Sequence, residues 1–199
     1  MDYQKAWQAL LRAAELAPAN SRYLNETGIM ARELGHYDAA IGYFEKSLDI
    51  DLNSFGPDHP NVAKTWNNLG LVWNEKGNTD KAREYFEKAL NSDLKTFGPD
   101  HPKVARTWNN LGSSWLAKGD TDKAIEYFER TLDSAQKTLG PDHPNVAKTW
   151  NNLGLVWNEK GNTNKAREYF EKALTIFRKA ELEHMVRSVE ENLRSLPGS

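Results

Sequence analysis

One stretch, Asp58–Leu90 (DHPNVAKTWNNLGLVWNEKGNTDKAREYFEKAL), occurs three times in this chain. It returns at Asp100–Leu132 with ten substitutions and at Asp142–Leu174 with one, Asn164 standing where the first copy has Asp80. The two steps, Asp58 to Asp100 and Asp100 to Asp142, are equal in length. A repeat of this period does not gather around one central core. Its units stack, each burying its apolar face on its neighbours. That constraint precedes any question of chemistry.

Each copy reads as two helices. Val62, Trp66, Leu69, Gly70 and Trp73 recur at helical spacing and predict a first helix over about Val62–Lys76. Pro60 suits its first turn, and Asp58 or His59 is the expected cap. Gly77 is expected to end it with φ > 0. Asn78 or Thr79 starts the second helix, with Asp80 favourable at its positive end. Ala82, Tyr85, Phe86, Ala89 and Leu90 form the second apolar stripe, and Gly98-Pro99 and Pro102 break the chain before the next copy.

Trp66, Leu69, Gly70 and Trp73, followed by Ala82 and Phe86, stand at the spacing of the tetratricopeptide repeat signature. The pattern recurs at Trp108, Leu111, Gly112, Trp115, Ala124 and Phe128, and again at Trp150, Leu153, Gly154, Trp157, Ala166 and Phe170. The chain therefore resembles that family. The segment Leu139–Gly154 (LGPDHPNVAKTWNNLG) is similar to the 42-residue repeats of kinesin light chains. The usual period is about 34 residues, and the proline that usually follows the second helix gives way here to the loop TFGPDHP. The resemblance implies an all-α fold, a right-handed α-solenoid of antiparallel helix pairs. One such array is expected over 1–199: a second helix at 1–16, a divergent repeat at 21–56, repeats at 58–98, 100–140 and 142–180, and a capping helix at 181–196.

The two ends depart from the pattern. Asp2–Leu16 reads as a second helix without its first. Ala6 stands one ordinary tetratricopeptide period before Ala40, and Ala40 stands one longer period before Ala82. The chain is thus expected to begin in mid-repeat. Asn25–Leu34 is a weaker first helix, keeping Gly28 but with Leu24 and Ala31 at the tryptophan positions. At the other end, neither Gly nor Pro interrupts the run between Gly161 and Pro197. Glu183–Leu196 is read as a cap folded back after a break near Glu181, with a continuous helix from Thr163 as the alternative. Trp7, Leu10, Leu11 and Ala14 at one end, and Met185, Val189 and Leu193 at the other, suggest a homodimer through incomplete ends.

Composition removes several function classes. The net charge of −2 gives no electrostatic case for nucleic acid or an anionic membrane surface. The chain has no cysteine, hence no disulfide, thiolate nucleophile or thiolate metal site. No apolar run reaches about 18 residues, so no membrane span is expected, and a cytoplasmic protein is the default reading. No Ser/His/Asp set, paired-carboxylate pocket or phosphate-binding loop is legible, so no enzyme activity and no cofactor are expected. His59, His101 and His143 form a ladder one repeat apart, too far apart to converge on one metal ion. The six repeat tryptophans coincide with the packing stripe and are expected to be core residues.

The face opposite that stripe carries the candidate site. With Trp66 at 0° and 100° per residue, Lys64, Asn68, Leu71 and Glu75 point directly away from it, flanked by Asn67 and Asn74. The later copies place Arg106, Asn109, Asn110, Ser113 and Ala117, then Lys148, Asn151, Asn152, Leu155 and Glu159, on the same face. The resemblance implies that this face lines a concave groove. In similar kinesin light chain repeats the second Asn and nearby basic residues contact peptide, which implies Asn68, Asn110, Asn152, Lys64, Arg106 and Lys148 here. Two adjacent Asn in mid-helix cost stability, and their amides suit an extended backbone. The basic row predicts an acidic extended peptide as partner. A structural or self-associating array without a dedicated ligand is the alternative. A regulatory segment of a larger signalling enzyme is a weaker third reading.

Overall fold

A computed structural model describes residues 3–197, with side chains from residue 7 to residue 197. Met1 and Asp2, where the expected opening helix begins, lie outside the described residues. Ten α-helices and no strand are present among those described: α1 (Tyr3–Leu16), α2 (Ser21–Glu33), α3 (Tyr37–Phe55), α4 (Pro60–Glu75), α5 (Thr79–Phe97), α6 (Pro102–Ala117), α7 (Thr121–Leu139), α8 (Pro144–Glu159), α9 (Thr163–Lys179) and α10 (Glu183–Arg194). Where the sequence reads as one array, the helices group into two compact units, one through Thr96 and the other from Phe97. Each has its own core, centred on Phe44, Leu69 and Val72 in the first unit and on Phe128, Phe170 and Phe177 in the second.

The helix boundaries follow from local chemistry. At α4 the cap is His59, whose Nδ1 accepts the Asn61 N–H at 3.2 Å while Pro60 occupies the first turn. His101 and His143 cap α6 and α8 in the same way, so each of these rings holds its own helix. Gly77 has φ +81 and closes the turn after α4, where the Asn78 N–H donates to the Trp73 carbonyl at 2.9 Å. Asn78, Asp120 and Asn162 then cap α5, α7 and α9, each accepting from an N–H three residues on.

The two helices of a repeat meet at one close contact. A Cβ added to Gly70 would lie 2.5 Å from the Phe86 ring, and Gly28, Gly112 and Gly154 face Phe44, Phe128 and Phe170 in the same way. All four rings are buried. The side chain that fills the space above Gly70 is therefore Phe86. In the second unit the contacts Trp150–Tyr169 and Trp157–Lys165 show that α9 runs back along α8.

Two expectations are corrected. Of the described tryptophans only Trp108 is buried; Trp7, Trp66, Trp73, Trp115, Trp150 and Trp157 are partly exposed. A helical wheel gives the direction of a side chain and not its depth, and an indole outreaches the small-residue seam formed by Gly and Ala. Lysines cover several of these rings: Lys81 lies 4.1 Å from the centroid of Trp73 and Lys165 3.9 Å from that of Trp157. The second correction concerns the free apolar face expected on α10, not its fold-back. The chain breaks at Glu181 (φ 54), and Val186, Val189 and Leu196 pack into the core of the second unit. Val189 is buried and offers no free face for a partner chain; Met185 and Leu193 are only partly buried.

The glycine contact gives a signed prediction. Ala normally stabilises a helix over Gly by about 1 kcal/mol. Gly42, in α3 with open space where a Cβ would stand, should gain up to that amount on Gly42→Ala. Gly70→Ala and Gly112→Ala should instead lose about 1–3 kcal/mol, because an aromatic ring must move. Urea denaturation of the three variants checks the opposite signs.

Candidate functional site

A first helix that packs only on its own partner would leave half its surface to solvent. Within each unit these helices also meet a neighbouring first helix, α4 meeting α2 and α8 meeting α6, and that narrows the free arc. On α4, Lys64 and Glu75 are exposed and Leu71 is partly exposed, but Asn67 and Asn68 are buried, at 2% and 9% exposure. Glu75 lies 3.8 Å from Arg32 of α2. In the second unit Arg106, Ala117, Lys148 and Glu159 are exposed, while Asn109, Asn110, Ser113, Asn151, Asn152 and Leu155 are partly buried. The charged ends of the expected face are thus solvent-facing and its asparagines are turned toward neighbours.

The asparagines bond to one another between helices. Asn68 Nδ2 donates to Asn25 Oδ1 at 3.3 Å, and Asn152 Nδ2 to Asn109 Oδ1 at 2.9 Å. Asn192 on α10 completes the same arrangement by donating to Asn151 Oδ1 at 3.0 Å. In the pair Asn151–Asn152 the first residue accepts from α10, the helix that follows, and the second donates to α6, the preceding first helix. This corrects the expectation that Asn68 points away from all packing: its amide is bonded to α2, the neighbouring first helix. Asn25 also donates to Thr65 Oγ1 at 2.9 Å, and Thr65 donates to its own Asn61 carbonyl. Ser113 Oγ donates to the Asn109 carbonyl at 3.1 Å.

The second unit contains a cleft of about 500 Å³. Arg106 and Asn109 of α6 line one side, and Lys148, Asn151 and Asn152 of α8 the other. The floor comes from α7, through Thr131, Ala135 and Leu139, and Met185 of α10 reaches its margin. The cleft therefore brings five of the sequence-predicted residues together and leaves out Asn110, Ser113, Leu155 and Glu159. The α7 floor had no sequence signal as a site, because its residues sit in the stripe of a packing helix. In the first unit Lys64 lines a separate cleft of about 330 Å³ with Asn25, Thr65 and Asp51, away from Leu71 and Glu75.

Among the described residues no group of three or more His, Asp or Glu side chains is arranged to hold a metal ion. No helix there is long and apolar enough to cross a membrane.

The asparagine pairing is open to a double-mutant cycle. Asn109→Ala strands the Nδ2 donor of Asn152, and Asn152→Ala strands the Oδ1 acceptor of Asn109. Each single change should cost about 1 kcal/mol, with a coupling of about 0.5–1.5 kcal/mol recovered in the double variant. Additive effects in guanidinium denaturation would show that the pair contributes nothing.

The tetratricopeptide repeat family model matches residues 19–95, 64–131 and 104–179. No curated protein sequence matches the chain. Among solved structures, the chain is similar to a putative kinesin light chain of Podospora anserina with nearly identical TPR-like repeats. That likeness has a TM-score of 0.75 at 21% identity and covers 89% of this chain and 84% of that one. BtubC (BKLC) from P. vanneervenii gives a TM-score of 0.74 at 19% identity, covering 96% of this chain and 83% of that one. The apo form of RapI gives 0.83 at 16% identity, covering 95% and 69%. At such identities the likeness is one of fold. The family matches run through most of the chain, and the chain belongs to the tetratricopeptide repeat family.

Proposed function

We propose that this protein is a protein-interaction scaffold that holds an extended, acidic segment of a partner protein in the cleft of the second unit. The observation that carries the reading is the pair Arg106 and Lys148. These are exposed cations on the two sides of one cleft, and neither is ion-paired to a described side chain. Facing cations repel each other and favour an anion placed between them. The amides below them add what a peptide backbone needs. Asn109 Nδ2 and Asn152 Oδ1 are the ends not used in their mutual bond, one a donor and the other an acceptor. Leu139, exposed at the floor, and Met185 give an apolar side chain a place to rest. The reading requires no catalytic group and no cofactor.

Fluorescence anisotropy with a labelled dodecapeptide of Asp, Glu, Leu and Gly tests it. A charge-matched basic dodecapeptide of Lys, Arg, Leu and Gly serves as the control. The acidic peptide should bind more tightly, and its affinity should fall as salt rises from about 50 to 500 mM. Arg106→Gln and Lys148→Gln should each weaken binding by up to about 1 kcal/mol, roughly fivefold in Kd. Equal binding of the two peptides, or no response to either substitution, would refute the reading.

A further inference from the structure

We propose that the Asp51 carboxylate in the first unit is a seat for an arginine or lysine side chain of a partner protein. The proposal shares with the reading above the premise of a protein-binding scaffold, and it concerns a different unit and the opposite charge. Asp51 lies near the end of α3 and is only 3% exposed. Its Oδ1 is buried and has no hydrogen-bond partner among the described residues. A carboxylate withdrawn from water in this way is unfavourable unless something cationic meets it.

The surroundings specify what that is. Asp51 stands where two hollows meet. One is the polar cleft between α2, α3 and α4, lined also by Asn25 and Thr65. The other is a shallow recess of about 520 Å³ whose surface includes Pro18, Ile50 and the exposed ring of Phe55. A charged end beside an apolar shelf matches arginine and lysine, whose aliphatic stems lie on apolar surface while the cation reaches a polar group. Of the polar side chains that line the cleft, Arg22 is paired with Glu26 at 3.0 Å and Asn25 and Thr65 are bonded to each other; the exposed Lys64 also lines it, and Asp51 Oδ1 still has no hydrogen-bond partner among the described residues.

Repeat register gives a second, independent observation. Asp51, Asp93 and Ala135 occupy equivalent positions, each one repeat after the last. Ala135 floors the cleft that carries Arg106 and Lys148. The same register position thus presents a methyl group beneath two cations in the second unit and a buried carboxylate in the first. The two clefts select opposite charges.

The test uses NMR of the full chain, ¹³C,¹⁵N-labelled, titrated with N-acetyl-arginine methylamide, its lysine counterpart, and the uncharged N-acetyl-citrulline methylamide. The arginine and lysine probes should shift the Asp51 side-chain carboxyl carbon and the Phe55 ring saturably, at least fivefold more tightly than citrulline. Asp51→Asn should abolish that preference while melting no lower than the parent, since the amide fills the same volume. Arg22→Gln and Lys64→Gln should leave the response equal or stronger. An equal response to citrulline, a preference that survives Asp51→Asn, a lower melting point for that variant, or loss of the response in Arg22→Gln or Lys64→Gln would each overturn the proposal. The acidic dodecapeptide is measured on the same samples. Its failure with the Asp51 response intact removes only the second-unit reading, and the reverse result removes only this one.

Discussion

In each of the four helix pairs that carry a mid-helix glycine, a phenylalanine ring packs against bare helix backbone. Gly28, Gly70, Gly112 and Gly154 leave the space, and Phe44, Phe86, Phe128 and Phe170 fill it, always at the same offset along the chain. Glycine in a helix interior costs about 1 kcal/mol against alanine, and the close approach it permits more than offsets that. Once the ring is seated, the first helix can present only a narrow arc to solvent. Its flanks are committed to neighbours, and that commitment decides which polar residues are free for a ligand.

Between neighbouring repeats, polar and point-like contacts are added to the apolar packing. Amide pairs join Asn25 to Asn68 and Asn109 to Asn152, and ion pairs join Asp38 to Lys76 and Asp122 to Lys160. An apolar interface tolerates sliding, whereas a buried amide pair has one satisfactory register. A single buried Asn does comparable work in coiled coils, where it fixes alignment at some cost in stability. The exposed ion pairs contribute little energy, on the order of 0–1 kcal/mol each.

The fold was largely legible because its signals are local. Pro60, His59, Gly77 and Asn78 mark helix ends by their own chemistry, and each stands where its backbone role requires. The site was legible only in its charges. Lys64, Arg106 and Lys148 project from the arc that a wheel calculation identifies. The asparagines do not, because a wheel drawn on one helix holds no information about the helices on either side. The breadth of the tryptophan rings was hidden for a similar reason, since angle says nothing of depth. Asp51 and the α7 floor were invisible because they sit in packing stripes, where an Asp at one repeat and an Ala at another look like noise until the hollow above them is known.

One consequence of the near-identity between copies concerns length itself. The contacts just described depend only on separation along the chain. That separation is one fixed offset for each Gly–Phe contact, and between adjacent repeats it is the same for both amide pairs and the same for both ion pairs. Inserting or deleting one whole repeat leaves all of these separations unchanged and creates no orphaned partner within the array. Chain length is therefore a free variable for this architecture, open to unequal exchange between near-identical gene segments. Reach along a partner can change by a whole step while the chemistry of every joint stays fixed.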